Sequence, residues 1–329
     1  FYLFVFLKKY IYMCYLIIIM KNFQLFSSSV LQHNSLCWFI SGLVDAEGSF
    51  GVNFVKKESK IGYSVLVYFE IGLNKKDKEL LKIVNQALGT NKIFYYNKSD
   101  DTLKLKISNI NELVNNVIPH FKKYPLFTQK RVDFELMSKV IDIIQKKRHL
   151  TLEGLNEIAS IKAAMNLGLS ADKLKNEFLT VKPLTRLAVN TGMPNKNWLA
   201  GFIEGESCFY VSIYNSPKSK LNYAVQLVFK ITQHFRDKVL LENISKLLEC
   251  GRVEIRKSGD ACDFTVTSFN EFKEHVIPFL ENYSLIGNKS KDYHDFKRVY
   301  EIILTKGHLT KEGLVNITKI KNSMNTKRV

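Results

Sequence analysis

The sequence predicts an α+β fold made of one unit used twice, each copy a four-stranded antiparallel sheet backed by helices. Two observations carry the prediction. The first is an internal repeat: residues 38–50 (WFISGLVDAEGSF) and 198–209 (WLAGFIEGESCF) pair Gly42 with Gly201, Glu47 with Glu206 and Phe50 with Phe209 at an offset of 159. The same offset joins Ile118-Pro119 to Ile277-Pro278, Lys130 to Lys289, His149-Leu150-Thr151 to His308-Leu309-Thr310, and Met165-Asn166 to Met324-Asn325. One register held over so long a span marks a duplication. The second is a change of hydrophobic period inside each copy, from helical spacing to the alternation of half-buried strands.

The copies are placed at 35–166 and 197–325. Between them, 167–196 carries Gly168, Pro183, Gly192 and Pro194 and reads as a linker, with an apolar leader over 1–34 and a tail over 326–329. In the first copy the motif helix feeds straight into a strand, because Phe50, Val52 and Phe54 alternate with Ser49, Gly51 and Asn53. From Tyr63 to Leu73 alternation returns, with Tyr63, Val65, Val67, Phe69 and Ile71 on one face. Residues 77–88 have helical spacing and stop at Gly89, a natural C′ residue. Strands are expected at 92–97 and 102–108, helices at 111–121 and 128–147, and a last helix capped by Thr151. The second copy repeats the order, with strands near 208–214, 223–232, 252–257 and 262–268 and helices near 237–248, 270–281, 288–304 and 310–323.

Composition narrows the function. The 329 residues hold 48 Lys and Arg against 31 Asp and Glu, a formal charge of +17, which favours a polyanionic partner, either nucleic acid or an anionic membrane. Five cysteines without zinc spacing argue against structural zinc, and an odd count argues against a secreted disulfide scaffold. In residues 1–20 the apolar run is broken by Lys8 and Lys9, so neither flank can span a bilayer of about 30 Å, and no membrane partner is expected. No secretory signal pattern is present there either; the segment reads as a leader translated in frame with something upstream, or as the edge of a fragment.

The outward sheet faces collect polar and basic residues: Ser49, Asn53, Lys57, Ser64, Tyr68, Glu70, Lys104 and Lys106 in one copy, and Tyr210, Ser212, Gln226, Lys230, Arg252, Arg256 and Thr265 in the other. A two-stranded ribbon fits the DNA major groove, and these are side chains able to read base edges. An ordinary solvated sheet face has the same pattern; duplication and charge together favour DNA.

In the motif helices Gly42 and Ala46, and Gly201 and Gly205, lie one turn apart on one face, so two backbones can approach closely. Each helix ends on an acid, Glu47 or Glu206, at the unfavourable end of its dipole. A divalent ion resolves that conflict: Mg²⁺ takes carboxylate and carbonyl oxygens, so Glu47 and Glu206 with the carbonyls of Ala46 and Gly205 form a candidate shared site. The bland alternative makes both surface acids, and repeat symmetry argues against it. Asp45 and Glu204 are repeat-matched but face elsewhere, and are assigned to structural hydrogen bonds or solvent. His149 and His308 precede capping threonines and are assigned structural roles.

The pair ISGLVDAEGSF and LAGFIEGESCF resembles the two signatures of a monomeric LAGLIDADG homing endonuclease, and IPHFKKYPLFTQKRVDF and HLTLEGL resemble the same family, particularly fungal mitochondrial intron-encoded members. Departures fall at Ser41, Ala46, Glu204 and Ser207, none of them the position of the catalytic carboxylate. The resemblance implies a pseudo-twofold pair of αββαββα units in a monomer. It places Glu47 and Glu206 under the scissile phosphates and each sheet astride a major groove of a non-palindromic duplex of roughly 20 base pairs. It further implies Mg²⁺-dependent hydrolysis of both strands, leaving short 3′ overhangs, and a mitochondrial matrix setting. Lys130 and Lys289 are candidates for stabilising transition-state charge, or else for anchoring phosphate. An RNA-splicing maturase acting on intron RNA is the nearest alternative; a non-catalytic DNA-binding module fits less well because both acids are present.

Overall fold

In the computed structural model, which describes residues 32–58, 61–166, 168–169, 178, 181–186 and 192–325, the change of period at the motif is a helix-to-strand junction without a loop. Helix α1 covers 32–47 and β1 (Gly48–Lys56) follows at once. The first copy continues as β2 (Tyr63–Asn74), α2 (Lys78–Ala87), β3 (Tyr95–Asn97), β4 (Thr102–Ile107), α3 (Ile110–Glu112), α4 (Ile118–Lys123), α5 (Lys130–Gln145) and α6 (Leu152–Ala163). The second repeats it as α7 (Lys196–Glu206), β5 (Ser207–Asn215), β6 (Tyr223–His234), α8 (Lys238–Leu248), β7 (Arg252–Ile255), β8 (Ala261–Val266), α9 (Phe269–Glu271), α10 (Ile277–Asn282), α11 (Lys289–Leu304) and α12 (Lys311–Asn322). The sheets have strand orders β1-β2-β4-β3 and β5-β6-β8-β7, every pair antiparallel.

Each sheet turns its aromatic face toward the helices. Phe50, opposite Phe69 in register, meets Phe121 and Phe134 of the helices edge to face, and Phe209, opposite Phe229, packs at a tilt on Phe296 of α11. Thr151 and Thr310 cap α6 and α12, each hydroxyl accepting from the N–H of Gly154 or Gly313.

Four differences from the sequence reading have physical causes. Helix α1 begins at least three residues inside the segment assigned to the leader, and Asn34 accepts the Tyr124 hydroxyl at 2.6 Å, which ties that turn to the core. Residues 1–31, the tail 326–329 and most of the linker lie outside the described residues. The strand expected at 92–97 is only β3, because the Asn85 side chain takes both the N–H and the carbonyl of Lys92 and leaves no ladder there. The helix expected at 111–121 widens into a π turn at Leu113–Val117, just before Pro119, which has no N–H to continue the regular ladder.

Finally, the offset between copies is not constant. Phe69 corresponds to Phe229, an offset of 160, whereas Ile107 corresponds to Val266, again 159. One extra residue in the β5–β6 hairpin is compensated before β8, so the insertion and deletion stay in connections. Among the described residues no helix is long and apolar enough to cross a membrane.

Candidate active site at the junction of the copies

Helices α1 and α7 touch backbone to backbone. A Cβ on Gly42 would lie 1.9 Å from the Trp198 carbonyl oxygen, and one on Gly201 would lie 1.8 Å from that of Phe39. Further along, a Cβ on Gly205 would lie 2.2 Å from the Cβ of Ala46. All four small residues expected at the interface therefore meet there. The contact brings together the helix ends that carry Glu47 and Glu206. Glu47 reaches across to the other helix: its Cγ and Oε1 lie 3.2 and 3.5 Å from where a Gly205 side chain would begin.

Desolvation raises the pKa of both acids. For Glu47 the opposing influences are Lys130 and Lys289, with Asp77 adding to the rise; for Glu206, a hydrogen bond from Gln233 opposes it and Glu47 itself adds to it. Glu206 is thus felt by Glu47, and each acid by both lysines. Lys130 Nζ donates to the carbonyls of Val44 at 3.3 Å and Ala46 at 3.0 Å, and Lys289 Nζ donates to those of Gly205 at 3.4 Å and Ser207. A cation at a helix C-terminus is favourably placed. Burial pulls Lys130 below its usual range against the pull of Asp45, Glu206 and Glu47.

Asp45 and Glu204 are buried, which decides between the two roles left open for them. Asp45 accepts from Phe127 N at 2.6 Å, Thr128 Oγ1 at 2.6 Å and, across the interface, Trp198 Nε1 at 2.8 Å. Glu204 accepts from Ile286 N and Gly287 N at 3.0 Å and from Lys289 N at 3.1 Å. Each acid pins the segment that delivers its copy's lysine. Two further acids escaped the sequence reading: Asp77 accepts from Asn288 N at 2.6 Å, and Asp237 accepts from Gln129 N at 2.8 Å, each at the start of the other copy's lysine helix. Gln233 was missed as well; Leu73 occupies its place in the first copy, so repeat-matching could not reveal it. His149 and His308 each leave a buried Nδ1 without a partner.

The candidate DNA-contacting residues within the strands fall on one face of each sheet. Ser49, Glu70 and Lys106 are neighbours in register, as are Cys208, Lys230, Thr265 and Arg252. Asn53, Ser64, Tyr68 and Lys104 share the first face and Tyr210, Ser212 and Gln226 the second, with Lys57 and Arg256 just past strand ends. Many of the cations are engaged: Glu70 bridges Lys104 at 3.1 Å and Lys106 at 3.6 Å, Lys106 lies 4.0 Å over the Tyr68 ring, and Asp263 holds Lys230 and Arg256. Thr265 is the exception to the expected exposure, since it is 6% exposed and so cannot reach a base edge. Tyr95 and Tyr214 were omitted from the sequence reading; both belong to these faces and both are exposed.

The sequence pattern of the LAGLIDADG endonuclease family matches residues 40–141 and 199–300, one match per copy. The chain belongs to the LAGLIDADG endonuclease family. Its fold superposes with a TM-score of 0.88 on the LAGLIDADG homing endonuclease I-LtrWI bound to target DNA, at 58% identity over 90% of this chain and 100% of that one. Probable intron-encoded endonucleases 2 and 3 of Neurospora crassa are 35% and 36% identical over 89% and 91% of this chain. The chain spans 67% and 55% of the lengths of those two relatives.

Within this LAGLIDADG chain the residues fit a divalent ion. Two coupled carboxylates and the nearby carbonyls of Ala46 and Gly205 make a hard oxygen donor set. Those carbonyls already accept a lysine, each keeping a second lone pair. Among the described residues no group of three or more His, Cys, Asp or Glu side chains could hold a metal ion. An ion here would therefore complete its shell with water and phosphate oxygens, as Mg²⁺ commonly does.

Proposed function

We propose that this chain is a site-specific DNA endonuclease that hydrolyses both strands of a long, non-palindromic duplex of roughly 20 base pairs, leaving short 3′ overhangs. The observation that carries the reading is the convergence of Glu47 and Glu206, one from each copy, between two sheet faces with basic side chains. The two faces differ in sequence, so they suit two different half-sites. Glu47 and Glu206, with the carbonyls of Ala46 and Gly205, would hold Mg²⁺. Bound metal supplies Lewis acidity and lowers the pKa of water. The chain itself does the rest: the faces place the duplex, the two acids present negative oxygens toward the centre, and Lys130 and Lys289 set positive charge beside it, suited to the extra charge of the transition state. A monomer acting in the mitochondrial matrix belongs to the same reading, which rests there on the intron-encoded fungal relatives.

The test is cleavage of a duplex spanning the junction of the exons that flank the coding sequence. Glu47→Gln and Glu206→Gln are each expected to lower double-strand cutting at least a thousandfold while changing duplex affinity less than about tenfold, measured by gel cleavage and anisotropy. Undiminished cutting by either variant sinks the shared site. Splicing of the intron RNA without DNA cutting would transfer the reading to a maturase.

A further inference from the structure

The two sheet faces carry one ion pair with its signs exchanged. Glu70 on β2 corresponds to Lys230 on β6, each one residue past the matched Phe69 and Phe229, and Lys104 on β4 corresponds to Asp263 on β8. Glu70 stands opposite Lys106 in register and Lys230 opposite Thr265, so in both copies the ionic partner lies two residues along the neighbouring strand. Lys104 Nζ donates to Glu70 at 3.1 Å and Lys230 Nζ donates to Asp263 at 3.2 Å, the same diagonal contact run in opposite senses. The residue directly across is fitted to each case. Gly72, opposite Lys104, leaves room for the lysine stem, since a Cβ there would lie 3.5 Å from the lysine Cγ; Thr232, opposite Asp263, donates to the carboxylate at 2.7 Å.

The exchange leaves the two acids with different work. Asp263 also takes Arg256, through Nε at 3.1 Å and Nη2 at 2.8 Å, and its side chain is 13% exposed. A carboxylate has about four acceptor sites. Lys230, Thr232 and Arg256 fill those of Asp263, which therefore holds its cations in place and accepts nothing from outside, while Arg256 Nη1 takes no part in these bonds. Glu70 is less occupied: besides Lys104 it meets Lys106 at 3.6 Å, its side chain is 22% exposed, and acceptor sites remain. We infer that the exchanged pair makes the two half-sites differ at one matched position, where Glu70 accepts from a base with an amino group in the major groove, cytosine or adenine, and Lys230 and Arg256, oriented by Asp263, donate to guanine. This rests on the proposed reading of the sheets as the DNA-facing surfaces. A palindromic target would present the same base to both faces, and an acceptor and a donor at one matched position select different bases.

Affinities of duplexes carrying each of the four bases at each target position, measured by anisotropy with the full chain, test this. At one position equally far from the centre in both half-sites, the wild type is expected to prefer cytosine or adenine in one half and guanine in the other, by about tenfold. The paired variant Glu70→Lys with Lys104→Asp keeps the net charge and reproduces the second face's arrangement. It is expected to turn the first preference to guanine and leave the other half-site unchanged. Asp263→Asn is expected to flatten the guanine preference to less than about threefold without weakening binding to the other three bases. Unchanged preferences in both variants, or losses equal for all four bases, overturn the inference. If the chain still cuts a specific site while its preferences do not move, the inference fails alone; if binding shows no base preference anywhere, it fails together with the endonuclease reading.

Discussion

His120 shows how a buried side chain sets the response of this molecule to acid. Burial holds its pKa down at about 4, while its Nε2 lies 3.2 Å from Ser41 Oγ among the rings of Phe121 and Tyr124. The folded chain therefore binds this proton less tightly than the unfolded chain, where the value is 6.5. Its contribution is complete above pH 6.5 and is lost as pH falls toward 4, about 3 kcal/mol in all at 1.36 kcal/mol per pKa unit. Asp45 works in the opposite sense: with its carboxyl raised to about 6 by burial, stability is gained as pH falls through 6. The two arms oppose each other, and Glu47 and Glu206, whose carboxyls burial also raises, add to the arm of Asp45 as pH falls. His120→Gln should expose the second arm, gaining ~2–3 kcal/mol relative to wild type in denaturant unfolding between pH 7 and 4.5; parallel curves would refute the assignment. At this scale the sequence was legible where symmetry marked a residue. Glu47, Glu206 and the two lysines were matched between copies, as were Asp45 and Glu204, whose role stayed open because an acid two positions from a helix end can face either protein or water. Gln233 and Asp77 were illegible, because their partners lie across a copy boundary or have no counterpart.

Among the elements, α1 and α7 are the most constrained, because their contact is made by backbone. Gly42→Ala or Gly201→Ala places a methyl less than 2 Å from a carbonyl oxygen, and nothing flexible is there to yield. Overpacking of this kind is expected to cost roughly 3 kcal/mol, lowering the melting temperature by several degrees in calorimetry and impairing cleavage by parting the two acids. An unchanged melting temperature in either variant would mean that the helices are not held this closely. The elements themselves were read well from alternation and helical spacing, and they failed where a side chain overrode the backbone pattern. Asn85 captures Lys92 and shortens β3, and Pro119 opens the π turn before α4. Neither event leaves a mark on hydrophobic period.

For the whole molecule the formal charge is +17, and the cations on the sheet faces are partly tied to Glu70 and Asp263. Binding of the target duplex should still weaken steeply with salt, since each neutralised phosphate releases counterions. About six phosphate contacts would lower affinity on the order of a thousandfold between 50 and 200 mM salt. A flat response in anisotropy titrations would contradict the basic faces. The duplication was plain in the sequence, whereas the way its halves grip each other was not. Asp77 holds Asn288, and Asp237 holds Gln129, so each copy donates one acid across the junction and receives one. Such reciprocity is the pattern of an isologous contact. A free first copy meeting its own twin could set Asp77 against Gln129 twice. In evolutionary terms the chain then has the interface of a former homodimer whose subunits became one polypeptide, after which each half was free to change its own reading face without breaking the other.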